Sequence, residues 1–281
     1  MDVEPHTPVC YRHPDRETRL ACSECGRPIC VECSIDSPVG QKCPECARPE
    51  ARARVIRVRP TAQAPARRAP ATYTLIAINV VVFMLQLALR ESSNGSVIAN
   101  SFAQRGIEID VLGEWWRAFT AMFLHADPFH LLVNMYALWI LGPIIERRFG
   151  PASFAALYTA SGLAGSALFH AVGAPDIWVV GASGAIFGLF GVLLAASFRR
   201  RHSPGGAALF NQLLFLLAIN LALPLLVPRI AWQAHLGGLA AGMLLAVLWE
   251  RVPLQRAGAT VYRVAAALAV AGAALATVLL L

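Results

Sequence analysis

The chain has 281 residues, 57% of them hydrophobic and 15% charged, with a net charge of +7 and a mean hydropathy of +0.55. A soluble domain carries about 25% charged residues, so this composition excludes an ordinary soluble protein and points to a polytopic membrane protein. The positive charge sits in short arginine clusters between apolar stretches, a pattern that orients membrane proteins and argues against nucleic acid as a partner.

All seven cysteines fall between positions 10 and 46, spaced as Cys10-x2-His13, Cys22-x2-Cys25, Cys30-x2-Cys33 and Cys43-x2-Cys46. Two intervening residues let both side chains of a knuckle reach one tetrahedral metal, so four pairs supply eight ligands for two structural Zn2+ ions. The expected arrangement is cross-braced: the first and third pairs hold one ion, the second and fourth the other. A disulfide cluster is the alternative; the lack of a secretory leader and a cytoplasmic placement, where thiols stay reduced, favour zinc. Eight ligands for two ions leave no open coordination position, so the expected role is a structural one with a surface for a cytoplasmic protein partner. Zinc would replace the hydrophobic core that so short a segment cannot build. On its ligand spacing, this region resembles the B-box class of zinc-binding modules, and residues 1–48 are assigned to it. Residues 49–70 are proline, alanine and arginine without apolar period and read as a flexible basic linker close to anionic membrane lipids.

From there to residue 281 the chain is expected to be a membrane domain, 71–281. Apolar stretches at 72–89, 129–145, 153–173, 177–197, 207–227, 229–249 and 262–281 approach the ~20 residues that span a bilayer, predicting an all-α fold of seven helices. Pro224 and Pro228 mark a turn between the fifth and sixth. The linker, "ERRFG" at 146–150, "FRRRH" at 198–202 and "ERVPLQR" at 250–256 fall on one side when the helices alternate. By the positive-inside tendency that side is the cytoplasm, with the amino terminus inside and the carboxyl terminus outside. Lys42 is the sole lysine; the arginine and alanine bias suggests a GC-rich bacterial genome and hence a bacterial plasma membrane.

The fourth helix carries "VVGASGAIFGLFG" at 179–191, with Ser183 inside it. The predicted span puts Ser183 two turns below the outer end, ~9 Å deep, and His235 in "AWQAHLGGLAAG" at a matching depth in the sixth helix. An intramembrane histidine faces a bundle interior or a polar cavity by default. Gly184-x3-Gly188 and Gly238-x3-Gly242 let the two backbones approach, close enough for the imidazole to act as general base toward the serine. His130-x3-Asn134 in the second helix, together with the backbone N–H of Ser183, offers donors to an oxyanion. Asp127 and Asp176 lie in outer loops and Glu146 at the inner end, so the pair would be a dyad without an orienting acid.

"EWWR" at 114–117, "HLLVN" at 130–134, "ERRFG" at 146–150, "GASGA" at 181–185 and "AHLGGLAAG" at 234–242 together resemble the rhomboid family of intramembrane serine proteases across residues 71–281. The resemblance implies Ser183 as nucleophile, His235 as general base, His130 and Asn134 as oxyanion donors, and Gly181 as a point of close substrate approach. It implies structural roles for Trp116 and Arg117 in an outer loop, an aromatic ring at Phe187 against His235, a hydrogen-bonding role for His125, and an inner polar cap at Glu146 and Arg147. It implies a six-helix core, with 262–281 as an added seventh helix, no catalytic cofactor, and transmembrane protein substrates cut in or beside a locally unwound helix, after a small residue. Two other readings stay open: a silent rhomboid-like binding protein, which usually lacks the serine or the histidine, and a membrane anchor for the zinc module.

Overall fold

In the computed structural model, the structure describes residues 7–37, 39–47, 68–91, 95–226 and 230–281. The chain divides into two compact units, Met1–Pro65 and Ala66–Leu281. Most of the expected linker lies outside the described residues.

The first unit has almost no apolar interior. Strand β1 (Val9–Cys10) pairs antiparallel with β2 (His13–Glu17), and β3 (Ile35–Asp36) with β4 (Gln41–Lys42). Its core consists of Cys10, Cys22, Cys30, Cys33 and Cys43 around Ile29. The Thr18 hydroxyl donates to the Ile29 carbonyl at 2.7 Å and accepts from Leu20 N–H at 3.0 Å, tying two knuckles together. One aliphatic side chain among thiols cannot offset the chain entropy of ordering about forty residues. The energy that holds this unit has to come from the thiol clusters.

The second unit is helical: α1 (Pro70–Ala88), α2 (Val97–Phe102), α3 (Gly106–Leu112), α4 (Arg117–Thr120), α5 (Pro128–Phe149), α6 (Pro151–Val172), α7 (Ser183–Arg199), α8 (Pro204–Leu226), α9 (Trp232–Glu250) and α10 (Ala259–Leu280). A two-stranded hairpin, β5 (Arg90–Glu91) with β6 (Gly95–Ser96), follows α1. Helices α1, α5 and α6 each open on proline, whose fixed φ and missing N–H suit a first turn. Among the described residues six helices, α1, α5, α6, α8, α9 and α10, are long and apolar enough to cross a membrane. The chain is thus a polytopic helical membrane protein.

The seventh expected span, 177–197, differs. Helix α7 begins at Ser183 and has 17 residues. Gly181 has φ +129°, outside helical space, and Val179 exchanges backbone hydrogen bonds with Gln104; an extended strand therefore replaces the first turns. The turn expected at Pro224 and Pro228 is also displaced, since α8 runs through Pro224 to Leu226 and 227–229 lie outside the described residues.

Helix α6 packs against α7, α9 and α10, so it forms the centre of the bundle. The connection between α1 and α5 is knitted rather than loose: buried Arg117 donates to the carbonyls of Asn100 (2.8 Å) and Ala103 (3.0 Å) and pairs with Glu114. At the opposite end of α5, Glu146 is 2% exposed and accepts from Ala71 N–H (2.9 Å), Thr72 N–H (2.8 Å) and the Thr72 hydroxyl (2.7 Å), capping the first turn of α1. Hydrogen bonds to a buried charge are each worth about 1.5–3 kcal/mol. Glu146→Ala is therefore expected to lower the thermal unfolding midpoint of the detergent-solubilised protein by several degrees, while Glu250→Ala, which removes an exposed pairing with Arg199, leaves it nearly unchanged.

Candidate active site and metal clusters

Because Gly181 breaks the helix, Ser183 stands at the first position of α7, and His235 stands in the first turn of α9. Neither lies two turns down its helix as the sequence pattern predicts; extended chain, not helix, carries Ser183 to its place. The two side chains nonetheless meet: His235 Nε2 is 2.9 Å from Ser183 Oγ. Glycines make that contact possible. A Cβ on Gly238 would collide with the Gly184 carbonyl, and one on Gly242 with the Gly188 carbonyl. Any larger residue on this seam would separate the helices.

Two features orient the imidazole. Phe187, one turn after the serine, stacks on the His235 ring with centroids 4.2 Å apart and planes 7° from parallel. The second nitrogen, Nδ1, is buried without a hydrogen-bond partner among the described residues. No carboxylate holds it, so ring stacking does the positioning that a hydrogen-bonded acid would do in a triad.

On the other side of Ser183 lies His130. A Cβ on Gly181 would come within 2.8 Å of its ring and 3.8 Å of Ser183 Oγ, so only glycine leaves the space between ring and serine open. His130 Nδ1 faces the Ala126 N–H at 3.4 Å. Acting as acceptor there, the neutral ring carries its proton on Nε2, the atom turned toward Gly181. Asn134 is 5% exposed and its amide donates to the His130 carbonyl at 2.9 Å; the structure places it one turn below His130, without a hydrogen bond to Ser183 or His235. The first N–H groups of α7 add to the donor set. Its N-cap, Ala182, provides no side-chain cap, and the first intrahelical acceptance at this end is Ile186 N–H to Ala182 carbonyl. The free N–H groups and positive end of the helix dipole thus face the serine oxygen.

The family of the Rhomboid domain matches residues 112–251, a segment that contains His130, Asn134, Gly181, Ser183 and His235. The putative rhomboid protease YdcA of Bacillus subtilis (strain 168) is 39% identical over 136 residues, 48% of this chain and 68% of that protein. The chain belongs to the rhomboid family. It is also similar to the rhomboid protease GluP of the same organism, at 33% identity over 189 residues, 67% of this chain and 36% of GluP. With the rhomboid protease AarA of Providencia stuartii it shares 29% identity over 208 residues, 65% of this chain and 73% of AarA. The chain thus spans about a third of GluP and about two thirds or more of the other two.

Within this rhomboid chain several residues play parts that no motif announced. Gln86 of α1 exchanges two hydrogen bonds with the His125 backbone, donating to its carbonyl at 3.2 Å and accepting from its N–H at 3.0 Å. A lone amide in an apolar helix was the available signal. His125 itself is 1% exposed, and its ring packs edge-on against His130 at 5.2 Å. Neither of its ring nitrogens has a partner among the described residues, so its backbone, not its ring, makes the hydrogen bonds expected of it.

The metal-binding module precedes the matched rhomboid segment. Cys10, His13, Cys30 and Cys33 form one cluster and Cys22, Cys25, Cys43 and Cys46 the other, the ligand atoms of each lying within 4.8 Å of one another. His13 Nδ1 lies 3.4 Å from Cys30 and Cys33 Sγ and 3.8 Å from Cys10 Sγ, and Cys25 and Cys43 Sγ are 3.9 Å apart. The edges of a zinc tetrahedron with standard bond lengths are ~3.6 Å for N to S and ~3.8 Å for S to S. Backbone N–H groups of Cys43 and Cys25 push the Cys22 thiol down to about 6, whereas the neighbouring Cys43 thiol, with burial, pushes Cys46 up to about 12. Four thiols this close cannot all ionise unless a cation lies between them, so both clusters can hold a metal ion.

The stack on His235 makes a testable claim. An aromatic pair of this kind is worth about 0.5–1.5 kcal/mol, so Phe187→Leu is expected to slow phosphonylation of Ser183 by up to about tenfold, and Phe187→Tyr to keep the wild-type rate.

Proposed function

We propose that the chain is an intramembrane serine endopeptidase that hydrolyses peptide bonds in or beside transmembrane segments of membrane proteins. The observation that carries this reading is the 2.9 Å contact between Ser183 Oγ and His235 Nε2. It is supported by family membership and by the proteases among the similar relatives. His235 takes the serine proton at Nε2 as Oγ bonds to the substrate carbonyl carbon. The oxyanion forms beside the opening N–H groups of α7 and the Nε2–H of His130, with Asn134 as a further donor once its amide turns from its own helix. Collapse of the intermediate breaks the C–N bond, and the leaving amine takes the proton from His235. Water, deprotonated by the same nitrogen, then frees the new carboxylate and restores the serine.

The strand before Ser183 supplies a place for substrate. Val179 spends both backbone groups on Gln104 and Gly181 N–H donates to the Ala121 carbonyl, while Val180 has no hydrogen-bond partner among the described residues. An extended peptide can pair with that open edge, which is how an unwound transmembrane segment would present its carbonyl to Ser183. A cavity of about 180 Å3 lined by Ile177, Val179, Ile230 and Trp232 adjoins the strand and could seat an apolar side chain.

The same reading includes seven crossings, with α7 as a short span, the amino terminus in the cytoplasm and the carboxyl terminus outside, in a bacterial plasma membrane. The zinc domain, 1–48, followed by the linker 49–70 and the membrane domain 71–281, would take two Zn2+ ions. One would sit on Cys10, His13, Cys30 and Cys33 and one on Cys22, Cys25, Cys43 and Cys46. Zinc supplies folding energy there rather than chemistry, and the folded module would bind a cytoplasmic protein that localises or regulates the protease. Nucleic acid has no part in this reading.

Two experiments check it. In vesicles, the wild type should cleave a transmembrane reporter bearing small and helix-weakening residues, and Ser183→Ala or His235→Ala should cut the rate by at least about a thousandfold; equal cleavage by either variant would refute the dyad. Metal analysis of the purified chain should find two zinc ions, falling to one in either Cys10→Ser or Cys22→Ser, and a wild type without zinc would refute the clusters' assignment.

A further inference from the structure

The hydrogen bonds that hold the serine's approach strand come from a place outside every motif. Gln104 lies between α2 and α3 and is 1% exposed. Its N–H donates to the Val179 carbonyl at 3.1 Å and its carbonyl accepts from Val179 N–H at 2.8 Å. Its side chain turns inward, where Nε2–H donates to the Ser166 carbonyl of α6 at 2.9 Å. The Ser166 hydroxyl in turn donates to the Ala118 carbonyl of α4 at 2.7 Å. One residue thus joins the approach strand to the central helix of the bundle.

The residues after it extend the grip. Arg105 donates to the Asp176 carbonyl at 2.9 Å and lies 5.3 Å from the Trp178 ring. Ile107 N–H donates to the Pro175 carbonyl at 3.1 Å, and a Cβ on Gly106 would come within 2.9 Å of Pro175 Cα. Residues 104–107 lie as a strap along 175–179. The edge of the strand that they occupy is the one opposite Val180.

We infer that Gln104 is a positioning residue for peptide cleavage: by anchoring Val179 to α6 it fixes the register in which the open edge at Val180 receives an extended substrate. This rests on the protease reading above. Gln104 touches neither Ser183 nor His235, so it acts on where the scissile carbonyl is placed and not on the reactivity of the serine. A small phosphonate needs only the dyad, whereas a peptide needs the strand as well. Misplacing the reacting atoms by about 1 Å costs up to about a hundredfold in rate.

The test uses the full-length chain in vesicles and compares two rates, phosphonylation by a small fluorophosphonate and cleavage of a transmembrane reporter. Gln104→Leu removes the donor to Ser166 at nearly constant volume; Gly106→Ala pushes the strap from Pro175 without touching Gln104. Each is expected to lower kcat/KM for the reporter by about tenfold or more while phosphonylation stays within about twofold of wild type. Partial unfolding would lower both rates alike and leave their ratio unchanged. A ratio equal to the wild-type ratio in both variants, from loss of both activities or of neither, would overturn the inference while leaving the protease reading intact. A wild type that neither labels nor cleaves would overturn both.

Discussion

Two helix backbones in direct contact determine what this membrane domain can do. Gly184 and Gly188 of α7 lie against Gly238 and Gly242 of α9 so closely that a methyl group on either of the α9 glycines would strike a carbonyl of the facing helix. In lipid the attraction between such helices comes from packing and not from expelled water, and small residues maximise it. The distance between Ser183 and His235 follows from this seam, because both side chains project from the opening turns of the two packed helices. Helix α6 packs on both members of the pair. The stack of Phe187 on His235 then sets the ring angle that the seam alone leaves free.

Much of this was legible in the residues. Intramembrane His235 and the small-residue spacings in α7 and α9 mark two helices that must meet around something polar, and they do. The Cys and His pairs mark two clusters, and the first pair does join the third and the second the fourth. What misled was apolarity as a guide to helix length. Residues 177–182 are apolar enough to extend the span, yet they form a strand, because Gly181 takes a positive φ and Val179 finds a backbone partner fifty-odd positions upstream in Gln104. Hydropathy reports where a residue prefers to be; it carries no information about long-range backbone pairing. The same limit hid Gln86 and Gln104, single amides whose meaning lies in carbonyls distant in sequence.

The two units solve the problem of a polar backbone in opposite ways. The membrane unit keeps its N–H and C=O groups inside helices and confines non-helical backbone to places where protein surrounds it, as at Gln104, Val179 and Gly181. The amino-terminal unit has short strands, turns and scarcely any apolar core, and its thiol clusters take the place of that core. Chemistry and cohesion are therefore separate in this chain: the candidate nucleophile is in the unit with no metal-binding cluster among its described residues, and the metal clusters are in the unit with no nucleophile-base pair among its own.

The central claim is that Ser183 is a nucleophile because His235 activates it. The most direct measurement is covalent: expose the detergent-solubilised protein to a fluorophosphonate, digest it, and locate the adduct by mass spectrometry. The account predicts a single adduct on Ser183 that disappears in His235→Ala. A folded wild type without an adduct at Ser183, or an adduct formed equally fast without His235, would contradict it.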